Sequence, residues 1–210
     1  MKNCLFEKIM KWWQRDDKIP IDADIIVSVS FGTFIDKLTN GSRQSTVSSI
    51  ILQRHFNKKP MVIFGVFTPT AHGGNPEQYY REEIFKQERS ISRYVGKVAS
   101  SIEEAFAVKM AFQKKLLKGQ IHVVVVCTDT CHSRRAGLVW ENEFREFGCK
   151  IYVKPFDTGY VIQENHPMIM LRNRWKWLIV NIGVYCLWRV PLIYGWFRKN
   201  CKTLHQPILV

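Results

Sequence analysis

One run of residues constrains this chain more than any other. Gln120-Ile-His-Val-Val-Val-Val-Cys127 is apolar almost throughout. A strand with that pattern has both faces covered, as a central strand of a parallel sheet does. Thr128-Asp129-Thr130-Cys131-His132-Ser133-Arg134-Arg135-Ala136 follows at once. The spacing predicts a polar loop that opens a helix over 134–147, a Gly148 cap, and a further strand over 149–154.

The same alternation occurs earlier in the chain. Asp24–Ser30 reads as a strand, 44–56 as a helix, and Pro60–Phe64 as a short strand closed by Gly65. Residues 77–92 read as a charged helix. A helix over 101–117 has Ser101 as its expected N-cap, with Glu103 and Glu104 in the first turn and Lys114, Lys115 and Lys118 near its end. The helix dipole favours that charge order. Alternating strands and helices predict a three-layer, Rossmann-like α/β fold with a mainly parallel central sheet. It occupies residues 21–165, between an amphipathic N-terminal helix within 1–20 and a basic, Trp-rich amphipathic helical segment over 166–210. Three loops, 31–43, 65–76 and 128–135, fall at carboxyl ends of strands, where such sheets bind ligands.

Charge is distributed unevenly. The net charge is +13, from 31 basic and 18 acidic residues. Glu164 is the last acid; Arg172, Arg174, Lys176, Arg189, Arg198, Lys199 and Lys202 follow it. A tail of that kind suits an anionic partner, either a membrane surface or nucleic acid. No nucleic-acid reading motif is present, and the acids of the preceding domain dilute the basic patch, which argues against nucleic acid. The six cysteines form no CxxC pair, and the N-terminus lacks the apolar core of a secretory leader. Reduced thiols and a cytoplasmic location, peripheral at the inner face of the membrane if the tail binds lipid, are the expectation.

The polar loop carries the chemistry. Backbone N–H groups at a helix start attract anions, arginine clamps phosphate or carboxylate, and histidine titrates near neutrality. The alternative is that Asp129 or Ser133 caps the helix and both arginines are solvated. Cys127 and Cys131-His132 make a poor metal site, because two ligands are adjacent and no second cluster exists. Gly32 and Gly65 follow strands, but neither belongs to a dinucleotide or P-loop motif. Cys131 lacks any base fixed by the sequence, so it is not read as a nucleophile. Gly73-Gly74, after His72, reads as a flexible turn.

With these residues in view, the chain resembles the YdcF-like family, the domain shared with the SanA and ElyC envelope proteins. The family motif T-S-x-x-H-x-x-R-A is matched by Thr128, His132, Arg135 and Ala136, with Asp129 where serine is usual. A second motif, T-x-E-N-A, is matched by Ser101-Ile-Glu-Glu-Ala105, where Ser101 stands for threonine and Glu104 for asparagine. The family's opening matches Asp24-Ile-Ile-Val and then Gly32, with Arg43 at the next helix. The usual Ser-Gly-Gly after the second strand is here Phe64-Gly65-Val66. The resemblance runs from Asp24 to Pro155 and implies a Rossmann-type ligand pocket. Arg43 and Arg135 would clamp an anion, Glu103 would contact the ligand or an arginine, and His132 would donate a proton or a hydrogen bond. S-adenosylmethionine binding is associated with one branch of the family and cell-envelope maintenance with another, so the expected partner is an anionic or nucleotide-like small molecule.

Two terminal segments remain open at this level. Residues 3–15 form either a helix packed on the domain or an interfacial anchor. Within 169–200, Trp177–Trp188 is a mostly apolar stretch too short for a bilayer core, which needs about 20 residues. A helix covering the sheet, an interfacial helix on an anionic membrane, and a span are the three readings. A pocket protein and a non-catalytic membrane adaptor are the functions that follow.

Overall fold

A computed structural model describes residues 4–34, 36–67 and 76–200. Five parallel strands form the sheet, in the order β3-β2-β1-β4-β5. They are β1 (Ile25–Ser28), β2 (Met61–Phe67), β3 (Ser92–Val98), β4 (Val123–Asp129) and β5 (Lys150–Phe156). β1 lies between β2 and β4, with Val27 opposite Ile63 on one side and Val126 on the other. Strand order reverses at the β1–β4 boundary, which is the topological switch point.

Helices α2 (Asn40–His55), α3 (Pro76–Gln87), α4 (Ser101–Leu117) and α5 (Ser133–Phe144) connect the strands. The three-layer α/β expectation therefore holds, and the four expected strands are present. Val124, Val125 and Val126 are fully buried, as a central strand requires. A fifth strand, β3, lies in the stretch between the expected helices 77–92 and 101–117, to which the sequence assigns no element. It is an edge strand, of which Val95 and Val98 alone are buried. Gly96, at φ 115°, breaks its alternation. Its first residues therefore carry no apolar pattern to read.

Two helix starts differ from expectation for the same reason, a hydroxyl cap. Thr39 caps α2 by accepting from Ser42 N, eight residues before Val47, the first apolar side chain of that helix. Ser100, not Ser101, caps α4 by accepting from Glu103 N.

The terminal segments join the same core. Helix α1 (Cys4–Trp13) buries Phe6, Met10 and Trp13, and Trp13 Nε1 donates to Cys131 O at 2.7 Å. This is the packed-helix reading of residues 3–15. The chain then runs along β5: Asp17 N donates to Val153 O, and Val153 N donates to Asp17 Oδ2. That pairing covers one sheet edge. Helices α6 (Arg174–Trp188) and α7 (Pro191–Asn200) close the chain. Trp177, Leu178 and Trp188 of α6 and Tyr194 of α7 are buried in the core that also holds Phe6 and Val126. Among the described residues no single helix is long and apolar enough to cross a membrane. Together α6 and α7 have the length and composition, but they meet at a bend of 106°.

Candidate functional site at the carboxyl ends of the sheet

The loop after β4 folds around the carboxylate of Asp129. Its Oδ1 accepts from Cys131 N at 2.9 Å, His132 N at 3.4 Å, Thr158 Oγ1 at 2.8 Å and Trp177 Nε1 at 3.1 Å. Asp129 thus satisfies backbone donors that open α5, as the capping alternative expects, and also ties the C-terminal helix α6 to the loop. Its other oxygen, Oδ2, is buried with no hydrogen-bond partner among the described residues. Burial pushes its pKa up to about 6, against the pull of those donors.

His132 lies between two hydroxyls. Thr128 Oγ1 is 3.0 Å from Nδ1, and Ser101 Oγ is 3.0 Å from Nε2. A neutral imidazole has one donor and one acceptor nitrogen, and hydroxyls complement either tautomer. The ring is almost fully buried, with Phe31 on its edge and Trp177 beside it. Burial, with Arg135 nearby, holds its pKa well below the ordinary value, so it stays neutral. The three side chains have the spacing of a nucleophile, base and orienter. The orienter is a hydroxyl, however, and cannot stabilise an imidazolium as a carboxylate does. The geometry favours hydrogen bonding by a neutral ring.

Arg135 is half-buried, and its guanidinium stacks on two tryptophans of α6, 5.4 Å from the Trp177 ring and 5.6 Å from that of Trp188. It forms no ion pair among the described residues, and its Nε is buried without a partner. Burial lowers its pKa to about 10, while Asp129 raises it. Arg134 is engaged differently: it lies over Trp12 and Trp13 and donates to Trp12 O at 2.7 Å.

The other positions separate into those that reach this cluster and those that do not. Ser101 does, through His132. Gly32 has φ 84°, a left-handed conformation that glycine tolerates, and Thr39 Oγ1 donates to its carbonyl at 2.9 Å. Gly65 is required by packing: a Cβ there would lie 3.0 Å from Val98 and 3.4 Å from Glu104 Oε1. The Glu103 carboxylate accepts from Ala99 N at 2.5 Å, while Glu103 N donates to Ser100 Oγ at 3.2 Å, so both bonds brace the start of α4. That buried carboxylate therefore serves the helix start. Arg43 is on the exposed face of the first turn of α2, and its side chain makes no hydrogen bond or ion pair among the described residues. His72, Gly73 and Gly74 lie outside the described residues.

A second cluster escaped the sequence reading. Glu77 and Arg81, one turn apart on α3, are both fully buried. Glu77 Oε1 accepts from Ser30 Oγ at 2.7 Å and Ser42 Oγ at 2.8 Å, and Oε2 accepts from Phe67 N at 2.9 Å. Arg81 donates to Ser28 O at 2.8 Å and to Ser28 Oγ, and it stacks on Phe64. Glu104 is buried beside them, with Oε1 lacking a hydrogen-bond partner. Burial pushes its pKa up to about 8, partly offset by Arg81. The i, i+4 spacing of Glu77 and Arg81 was legible, but it reads equally as a solvated helix face.

The first turn of α4 joins the two clusters. Ser101 meets His132 on one side, and Glu104 lies beside Arg81 on the other. Five ionisable groups, Glu77, Arg81, Glu104, Asp129 and His132, are thereby held out of water at the carboxyl ends of β1, β2 and β4, with the half-buried Arg135 beside them. Burying such groups is costly, and perturbed ones concentrate at functional sites. Among the described residues no group of three His, Cys, Asp or Glu side chains could hold a metal ion. Cys127 and Cys131 are both buried, and burial pushes the Cys127 thiol up to about 12. No protein-family model matches the chain, and no curated protein or solved structure matches it either.

Proposed function

We propose that the chain binds an anionic small molecule in the crevice between the carboxyl ends of β1 and β4, with Arg135 as its charge partner. One observation carries this reading: the Arg135 guanidinium is kept on two tryptophans, makes no ion pair among the described residues, and has a buried Nε with no hydrogen-bond partner. A structural arginine at such depth is ordinarily paired. Thr128, His132 and Ser101 supply a neutral hydrogen-bonding wall beside it. The switch point is the usual ligand position of this architecture. Likeness to YdcF-like proteins suggests S-adenosylmethionine, nucleotides or sugar phosphates as the compounds to try, and an envelope-linked role. A thermal-shift screen of those three classes tests the reading. Stabilisation of the wild type by one of them, absent in Arg135→Met, supports it; no stabilisation by any of them counts against it.

A second reading, a peripheral membrane adaptor, has its own observation. The outer faces of α6 and α7 expose Ile179 (64%), Leu192 (86%) and Trp196 (61%) among Arg189, Lys199 and Lys176. Apolar and basic side chains in that mixture suit an anionic bilayer surface. Co-sedimentation with phosphatidylcholine vesicles containing phosphatidylserine, lost in Leu192→Asp/Trp196→Asp, is the expected result. Equal sedimentation of that variant eliminates the reading.

A further inference from the structure

A cavity of about 670 Å³ lies between α5 and α7, outside the crevice. Its volume is within the range of small-molecule sites. The apolar wall comprises Leu138, Trp188, Pro191 and Tyr194. Trp188 separates it from the crevice: the same ring that stacks on Arg135 packs against Tyr194 at 6.1 Å.

The charges around the cavity do not cancel. Glu143 is buried and fully engaged: Lys109 Nζ donates at 3.2 Å, Tyr194 OH at 3.0 Å and Arg198 Nε at 2.8 Å. Glu146 pairs with the same lysine at 3.2 Å. Two guanidiniums are left over. Both are exposed: among the described residues Arg145 donates to the neutral Asn142 Oδ1, at 2.7 Å, and Arg189 stacks on Tyr185, 5.9 Å from its centroid. Neither has a carboxylate partner among the described residues.

Gly195 supplies an independent observation. It faces the cavity from within α7, and a Cβ added there would meet nothing within 4 Å. Glycine inside a helix costs stability relative to alanine. No neighbouring atom requires it here, and a larger side chain at this position would project into the open volume.

From the surplus of two cations, the aromatic wall and the glycine, we infer that this cavity is a binding site for an anionic amphiphile. A phosphate or carboxylate head sits on Arg145 and Arg189, and the apolar body lies along Trp188, Pro191 and Leu138. The head group is common to soluble alkyl phosphates and to anionic lipids. This inference goes beyond the crevice reading and does not depend on it.

Calorimetric titration of the full chain with dodecyl phosphate, below the concentration at which it forms micelles, tests the site. Inorganic phosphate and dodecyl maltoside serve as the head-only and tail-only probes. Dodecyl phosphate is expected to bind, with each single-component probe at least about tenfold weaker. Arg145→Ala/Arg189→Ala should weaken binding by about tenfold or more, since hydrogen bonds to charged groups are lost. Gly195→Phe should abolish it by filling the cavity, with the fold checked by its thermal transition. Arg54→Ala, a surface arginine of α2 paired with Glu88 and absent from the cavity wall, should leave this binding unchanged. Vesicles of phosphatidylcholine with phosphatidic acid then separate the sources: competition with dodecyl phosphate identifies a lipid head, and its absence a soluble ligand. Binding of dodecyl phosphate that survives both Gly195→Phe and the double arginine substitution, or no binding at all, overturns the inference.

Discussion

Ser101 Oγ lies 3.0 Å from His132 Nε2, so the first residue of α4 touches the imidazole that precedes α5. With Thr128 on the other ring nitrogen, the contact fixes both helix starts around the β1–β4 switch point. Each hydrogen bond is neutral, the Thr128 one buried and the Ser101 one part-buried. Ser101→Ala and Thr128→Val should therefore each destabilise the protein by about 1 kcal/mol, and His132→Ala by more, because it leaves both hydroxyls unpaired and creates a void. Urea unfolding of the three variants measures this. If His132→Ala is as stable as the wild type, the ring is not held as described.

The buried groups make opposite contributions to the pH dependence of stability. His132 has a depressed pKa, so its contribution is present above about pH 6.5 and is lost as pH falls through that value, where the unfolded chain takes up a proton. His166 acts in the same sense, its pKa being lowered to about 4 by burial. Glu104 is the reverse. Its pKa is raised from 4.5 to about 8, so its contribution is present below pH 4.5 and is lost as pH rises toward 8. Glu104→Gln should gain on the wild type as pH rises from about 5 to 8, and His132→Gln should flatten the acid limb only in part. Unfolding midpoints across that range check both signs. A Glu104→Gln difference that stays constant from pH 5 to 8 would show the carboxyl to be ionised throughout.

Arg135 should display a conflict between stability and binding. Its guanidinium is held with a lowered pKa and no ion pair, at a cost to the free protein. Methionine matches its apolar stem and keeps contact with Trp177 and Trp188. Arg135→Met should therefore melt at or above the wild-type Tm while losing the crevice ligand. A Tm several degrees lower would mark the arginine as a structural residue.

Helix α1 protects the loop from behind. Trp13 Nε1 bonds to Cys131 O, and Met10 packs on the Cys131 sulfur at 3.6 Å. Trp13→Phe leaves that buried carbonyl without its donor and should cost about 1–3 kcal/mol. It should also speed the labelling of Cys131 by a thiol reagent, followed residue by residue by mass spectrometry. Unchanged labelling of Cys131 would separate α1 from the loop.

The buried valines of β4 and the polar residues after them sufficed to place the fold and the centre of the candidate site, because covering both faces of a strand leaves a plain trace in sequence. The edge strand β3 left none, since Arg93 and Lys97 alternate with its few buried residues. The Asp129 and His132 positions were legible from the loop, but what they touch was not. Thr158 and Trp177 come from 29 and 48 residues away along the chain. The ligand contact expected of Glu103 came from the family motif alone, and an acid in a first turn serves a cap and a ligand equally well. Glu77 and Arg81 were missed because nothing local distinguishes a buried ion pair from an exposed one on the same helix face.

Native mass spectrometry of freshly purified wild type and Arg135→Met tests the central claim most directly. The account expects the wild type to carry an anionic small molecule, released on denaturation, and Arg135→Met to lack that same molecule while remaining folded. Equal occupancy in both proteins, or no bound molecule in the wild type, would contradict it.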